Sequence, residues 1–195
     1  MGEILSILGK EDFYFAMLRT ATPVLLTTLG AMTASRAGVS NIALEGTMLF
    51  AAFFGVIVSA FSQSALLGFL AAVGIGLLIS LLLSYFILEL HSNGILSGIA
   101  LNTLASGGTV FLLFLITGEK GASTSLHSLK LPALHLPLVE NIPFIGKILS
   151  GQHILTYVSL LLVFVIATLF KKSRLGMDII AVGENPEAAE SLGIS

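Results

Sequence analysis

Arg36-Ala37-Gly38-Val39-Ser40-Asn41-Ile42-Ala43-Leu44-Glu45-Gly46 is a polar interruption between two long apolar runs. Its two charged residues, Arg36 and Glu45, are the only ones between Arg19 and Glu89. Charges beside a bilayer core are costly and are kept for a pathway, a pairing or an anchor. Gly38 and Gly46 admit backbone conformations that other residues resist, and Ser40 or Asn41 offers a cap for a helix starting near Ile42. On such a helix Asn41 and Glu45 stand one turn apart and share a face. Two readings stay open at this point. One is a broken helix near residues 36–46 whose free amides and carboxylate line a cavity at membrane depth. The other is a short aqueous loop with Arg36 at the interface and Glu45 in water.

The flanks of this break are what make it informative. Residues 46–88 carry no charge and are long enough for two spans at about 20 residues each. Uncharged stretches at 90–118 and 148–170 supply one span apiece. The run before the break crosses if it begins near Phe13 with Arg19 snorkelling to the interface. The expected spans are therefore 13–35, 46–60, 65–88, 95–117 and 154–170, in a single all-α polytopic helical bundle. Composition agrees: of 195 residues 55% are hydrophobic and 10% charged, with a mean hydropathy of +1.01, where a soluble domain has about a quarter charged. The net charge of −2 argues for no nucleic-acid partner. The absence of cysteine excludes disulfides and thiol catalysis. The first twelve residues, with Glu3, Lys10, Glu11 and Asp12, read as a short amphipathic lead and not as a removable signal peptide.

Within the spans, Pro23 is expected to kink the first helix unless it lies in the first turn. Thr20, Thr22, Thr27, Thr28 and Thr33 are expected to bond back to that helix's own carbonyls. Ala51, Ala52, Gly55 and Ser59, and then Gly68, Gly74 and Gly76, are candidate points of close helix approach. Asn102 is a candidate lining residue of a substrate pathway together with Asn41 and Glu45, because an amide in hydrocarbon must find a partner in another helix or in a ligand. Residues 118–152, with Pro132, Pro137 and Pro143, read as an extracytoplasmic loop carrying an interfacial helix near 142–149. His127, His135 and His153 are spaced too irregularly for a metal site and read as surface residues.

Lys171, Lys172 and Arg174 close the last span and place that end in the cytoplasm. The 36–46 break then reaches the same side. The segment 171–195 carries a second signal. Asn185 is a helix N-cap, Pro186 suits the first helical position, and Glu187 complements the positive helix end. Gly193 supplies the stop. The two-turn helix has a small apolar face of Ala188, Ala189 and Leu192 and is too short to be stable alone, so it must dock onto something.

These residues resemble a family, the membrane permeases of bacterial ABC importers for nucleosides and simple sugars, within the branched-chain amino acid and ribose permease group. The resemblance rests on 18–23 (Leu-Arg-Thr-Ala-Thr-Pro), on the 36–46 stretch, on 97–102 (Ser-Gly-Ile-Ala-Leu-Asn) and on 173–176 (Ser-Arg-Leu-Gly). It includes 181–189 (Ala-Val-Gly-Glu-Asn-Pro-Glu-Ala-Ala) and 192–194 (Leu-Gly-Ile). These stand in the family's order along nearly the whole chain. The resemblance implies a multi-pass subunit of the bacterial plasma (inner) membrane that forms a pore with a second permease copy or a paralogue. It implies a separate ABC ATPase on the cytoplasmic side and an extracytoplasmic substrate-binding protein. The 184–194 helix corresponds to the family's coupling helix, which makes Asn185, Pro186, Glu187, Ala188, Ala189, Leu192 and Gly193 the ATPase-coupling residues. Family members continue for several more helices, so the chain reads as truncated. Ala43 stands where the family usually has glycine.

The function expected is substrate conduction without chemistry of its own. The chain holds no Gly-x-x-x-x-Gly-Lys-Ser/Thr loop, so ATP hydrolysis is assigned to the partner. No catalytic residue, metal or cofactor is implied. An intramembrane enzyme needs a nucleophile and a base at membrane depth, and the four histidines fall outside the spans or at their edges. The alternative weighed against the importer is a stand-alone secondary transporter or channel, for which only Glu45, Arg19 and Arg36 are available as coupling charges.

Overall fold

The computed structural model describes residues 11–119, 125–134 and 148–194. Five helices are long and apolar enough to cross a membrane: α1 (Glu11–Arg36), α2 (Leu44–Ser62), α3 (Ala65–Leu88), α4 (Gly94–Thr117) and α5 (Ile154–Lys172). Two shorter helices follow, α6 (Arg174–Glu184) and α7 (Pro186–Ser191). The only strands among the described residues are β1 (Ala133–Leu134) and β2 (Gln152–His153), paired antiparallel with Ala133 opposite His153. The all-α polytopic bundle read from the sequence is the observed class. Of the twelve-residue lead, residues 1–10 lie outside the described residues and Glu11 and Asp12 belong to α1; most of the interfacial helix near 142–149 lies outside them as well. The chain divides into two compact units, one of Gly38–Lys130 and one of Met1–Ala37 with Leu131–Ser195.

In the first of these, α2, α3 and α4 pack around a core of Ala43, Phe50, Ile79, Leu83, Leu101 and Ala105, with Phe54, Ile75 and Ile87 against it. Small residues decide how close α2 and α3 come. A Cβ built on Gly68 would stand 2.6 Å from the Ser59 Cβ and 2.7 Å from the Gly55 carbonyl oxygen. No hydrophobic force draws helices together inside a lipid phase, so this fit supplies the contact. Gly74 and Gly76, expected to do the same, have no neighbouring heavy atom within 4 Å of such a Cβ. They lie off the stripe of 68, 72, 75, 79 and 83 that faces the core. The opposite side of α3, with Leu70, Leu77 and Leu81, is exposed. A helix apolar all round is one whose outer face meets lipid.

The helix ends follow the sequence closely. Asn93 accepts from the Ile95 and Leu96 amides at 2.9 and 3.3 Å and caps α4. Ser64 caps α3, and Gln63 makes the turn before it with φ of 50°. The loop after α4 returns to α2, where the Leu129 amide donates to Ser59 Oγ at 3.1 Å. Leu126 and the α2 and α4 residues Leu49, Phe53, Val56, Thr109 and Leu113 line an apolar cavity of about 260 Å³.

In the other unit, α1 runs unbroken through Pro23. Twenty-six residues at about 1.5 Å each exceed the ~30 Å hydrocarbon core, so this run is long enough to span. Glu11 and Asp12 form its first turn and Arg36 its last, the polarity the helix dipole favours. The five threonines bond back to main-chain carbonyls as expected, Thr28 Oγ1 to Val24 O at 2.7 Å among them. Thr22 also reaches across to α5, its hydroxyl 3.0 Å from Thr156 Oγ1 in a buried contact. Gln152, 1% exposed, donates to the carbonyls of Phe15 and Ile148 at 2.9 and 3.1 Å.

Candidate functional site

The 36–46 stretch is a true interruption. α1 ends at Arg36 and α2 begins at Leu44, with Gly38 at φ of 80° between them. The helix starts two residues later than the sequence suggested. Ala43 holds the cap position and gives no side-chain cap, because Asn41 is spent one step earlier: its Oδ1 accepts the Ala43 amide at 3.0 Å. Asn41 therefore precedes α2 and does not share a helical face with Glu45. The Glu45 side chain is exposed at the second helical position.

Asn102 supplies the cap that α2 lacks. Its Oδ1 accepts the Gly46 amide at 2.7 Å and its Nδ2 donates to the Ile42 carbonyl at 2.9 Å. The approach leaves no room for a side chain at Gly46 and little at Gly98. A Cβ on Gly46 would lie 2.8 Å from Asn102 Oδ1, and one on Gly98, a turn before Asn102 on α4, would lie 3.1 Å from the Ala43 nitrogen. Of the three pathway candidates, Asn102 reaches the first turn of α2, where Glu45 stands, and its amide is committed to main chain at both ends. The sequence flagged Asn102 as needing a partner; nothing in its spacing named Gly46 and Ile42.

The terminal segment is more elaborate than one short helix. Ser173 Oγ accepts the Gly176 amide at 3.0 Å and caps α6, a helix not among the sequence expectations although Ser173 and the apolar residues Leu175, Met177, Ile179, Ile180 and Val182 around Asp178 carry its signal. Asn185 Oδ1 accepts the Ala188 amide at 3.1 Å, Pro186 takes the first position of α7, and Gly193 ends it at φ of 78°. Of the expected apolar face, Ala189 is buried within the unit, whereas Ala188 and Leu192 are exposed. Ala37, Leu175, Asp178, Val182 and Ile194 line an open groove beside it.

Comparison with known proteins agrees with this architecture. The chain matches the family model described as "Branched-chain amino acid transport system / permease component" over residues 13–195. It is 34% identical over 200 residues to the guanosine ABC transporter permease protein NupQ of Bacillus subtilis, covering 99% of this chain and 60% of NupQ. To the nucleoside ABC transporter permease protein NupC of Lactococcus lactis it is 34% identical over 189 residues, 92% of this chain and 58% of NupC. To TsgC13 of Haloferax volcanii, provisionally named a glucose ABC transporter permease, it is 33% identical over 183 residues, 92% of this chain and 54% of that protein. The chain thus spans a little over half the length of these relatives. No solved structure matches it significantly. Five apolar helices and the family match together make it a multi-pass protein of the plasma membrane. The chain belongs to the family of permease components of branched-chain amino acid transport systems.

Proposed function

We propose that the chain is a permease subunit of an ABC importer for nucleosides or simple sugars, conducting the substrate and coupling to a separate ATPase through residues 184–194. Nucleosides are preferred, because NupQ and NupC carry guanosine and nucleoside in their names. A second permease subunit completes the pore, an extracytoplasmic binding protein delivers the substrate, and ATP is hydrolysed by the ATPase alone.

The observation that carries the reading is the terminal pair of helices. A segment of some twenty residues, capped at Ser173, capped again at Asn185 and ended at Gly193, follows a basic cluster and exposes an apolar residue, Leu192. Short helices fixed this firmly at their ends are suited to transmit a push. A force on α7 would pass through α6 to the foot of α5, and from α5 to α1 through Thr22 and Thr156. The chain then leads from α1 through the break to α2, where Asn41, Glu45 and Asn102 would open to one side or the other.

The test is uptake of radiolabelled guanosine by the full-length permease with its ATPase and binding protein in proteoliposomes. The importer reading requires uptake that depends on ATP and falls severalfold in Glu45→Gln. Uptake without ATP would favour a secondary carrier, and unchanged kinetics in Glu45→Gln would remove Glu45 from the pathway.

A further inference from the structure

We infer that Asn102 is a positioning residue that clamps the first turn of α2 from the neighbouring helix and thereby fixes where Glu45 stands. The inference rests on the proposed pathway only for what Glu45 does; the clamp itself stands on geometry.

The first amides of a helix need acceptors, and far from water a missing one is costly. The residue at the cap position of α2 is Ala43, whose side chain offers none. The acceptor comes from α4 instead, and the same amide group that satisfies Gly46 N–H also donates to Ile42 C=O. The two main-chain groups lie four residues apart, on either side of Leu44 and Glu45. One planar side chain therefore holds both sides of the residue pair that opens the helix. The chemistry is selective. A carboxylate in place of the amide keeps the acceptor and loses the donor, and a serine reaches neither group. Gly46 and Gly98 are the clearance for this clamp: a methyl group at 46 would push directly on Asn102 Oδ1.

Glu45 is thus inside the clamp by its backbone and outside it by its side chain. If the clamp opens, the first turn of α2 frays and the carboxylate loses its fixed place. A merely space-filling residue at 102 would make neither of the two main-chain bonds that hold this turn.

These 195 residues hold no cysteine, so once any thiols elsewhere in the complex are replaced by serine a single introduced thiol reports its own surroundings. Glu45→Cys in the full-length permease complex is treated with a water-soluble maleimide, in backgrounds carrying Asn102→Ala, Asn102→Asp or Gly46→Ala. Phe61→Cys, at the far end of α2 and 71% exposed, is the reference. The clamp predicts that labelling at 45 changes by roughly tenfold in Asn102→Ala and in Gly46→Ala, as expected for a lost helix cap, with Asn102→Asp between them and wild type. Labelling at 61 stays constant. Equal rates at 45 in all backgrounds would overturn the inference, as would parallel changes at 45 and 61, which denote general loosening. A shift at 45 combined with normal guanosine uptake by Glu45→Gln would uphold the clamp and overturn the pathway reading.

Discussion

Ala189 and Leu192 stand one turn apart at the end of the chain and in opposite surroundings, 2% and 78% exposed. The first belongs to the chain's own packing and the second is presented outward. Leu192→Asp should therefore lower co-purification of the ATPase by roughly tenfold, the loss typical of an interface anchor, while expression and insertion stay at wild-type levels. Ala189→Arg forces a charge into a closed site and should destabilise α7 itself, detected as faster proteolysis after residue 184. Wild-type ATPase recovery with Leu192→Asp would remove that residue from the docking surface.

The α2–α3 contact predicts a sharp difference between glycines. Gly68→Val places two methyl groups where a single Cβ would already be 2.6 Å from Ser59, and overpacking of this kind costs about 1–3 kcal/mol. Gly74→Ala meets open space and should be neutral. Thermal unfolding in detergent distinguishes them: the midpoint falls for Gly68→Val and holds for Gly74→Ala.

The buried hydroxyl pair between α1 and α5 can be measured directly. Thr22→Val, Thr156→Val and the double variant form a cycle, and the coupling expected of one hydrogen bond between membrane helices is about 0.6 kcal/mol. Additive losses in unfolding free energy would show that the Thr22 hydroxyl acts through its bond to the Leu18 carbonyl and not through Thr156.

At the foot of α5, Gly176 is held against the Leu169 carbonyl, and Ser173 caps the helix that follows. Ser173→Ala should cost about 1 kcal/mol of local stability and speed amide exchange in α6. Gly176→Ala should be the more severe, because backbone occupies the place of its methyl group. Equal exchange in wild type and both variants would mean that the corner is held by other contacts.

The spans were legible because a bilayer imposes a length and a polarity that a sequence must write out in full. Uncharged runs such as 65–88 and 95–117 therefore coincide with α3 and α4 to within a residue. A cap was legible where the capping residue is local, as Asn185 is. The start of α2 was misjudged because its cap is 56 residues away in the sequence, on Asn102. Local spacing assigned the role to Ser40 or Asn41, and periodicity holds no record of which helix lies beside which. α6 is set by a different close fit: Gly176 near its start lies so close to the Leu169 carbonyl that no side chain fits there. Pro23 lies inside α1, which continues through it, with Thr27 Oγ1 donating to the proline's own carbonyl. Gly74 and Gly76 show the same limit from the other side, since composition alone cannot tell a glycine that packs from one that does not.

The fit between Gly46 and Asn102 ties two distant positions into a single heritable unit. A lineage that acquires a side chain at 46 leaves the amide at 102 nowhere to sit, and one that loses the amide frees 46 to vary. The pair should therefore be inherited or replaced together, and drift at one without the other would betray a permease that starts this helix by different means.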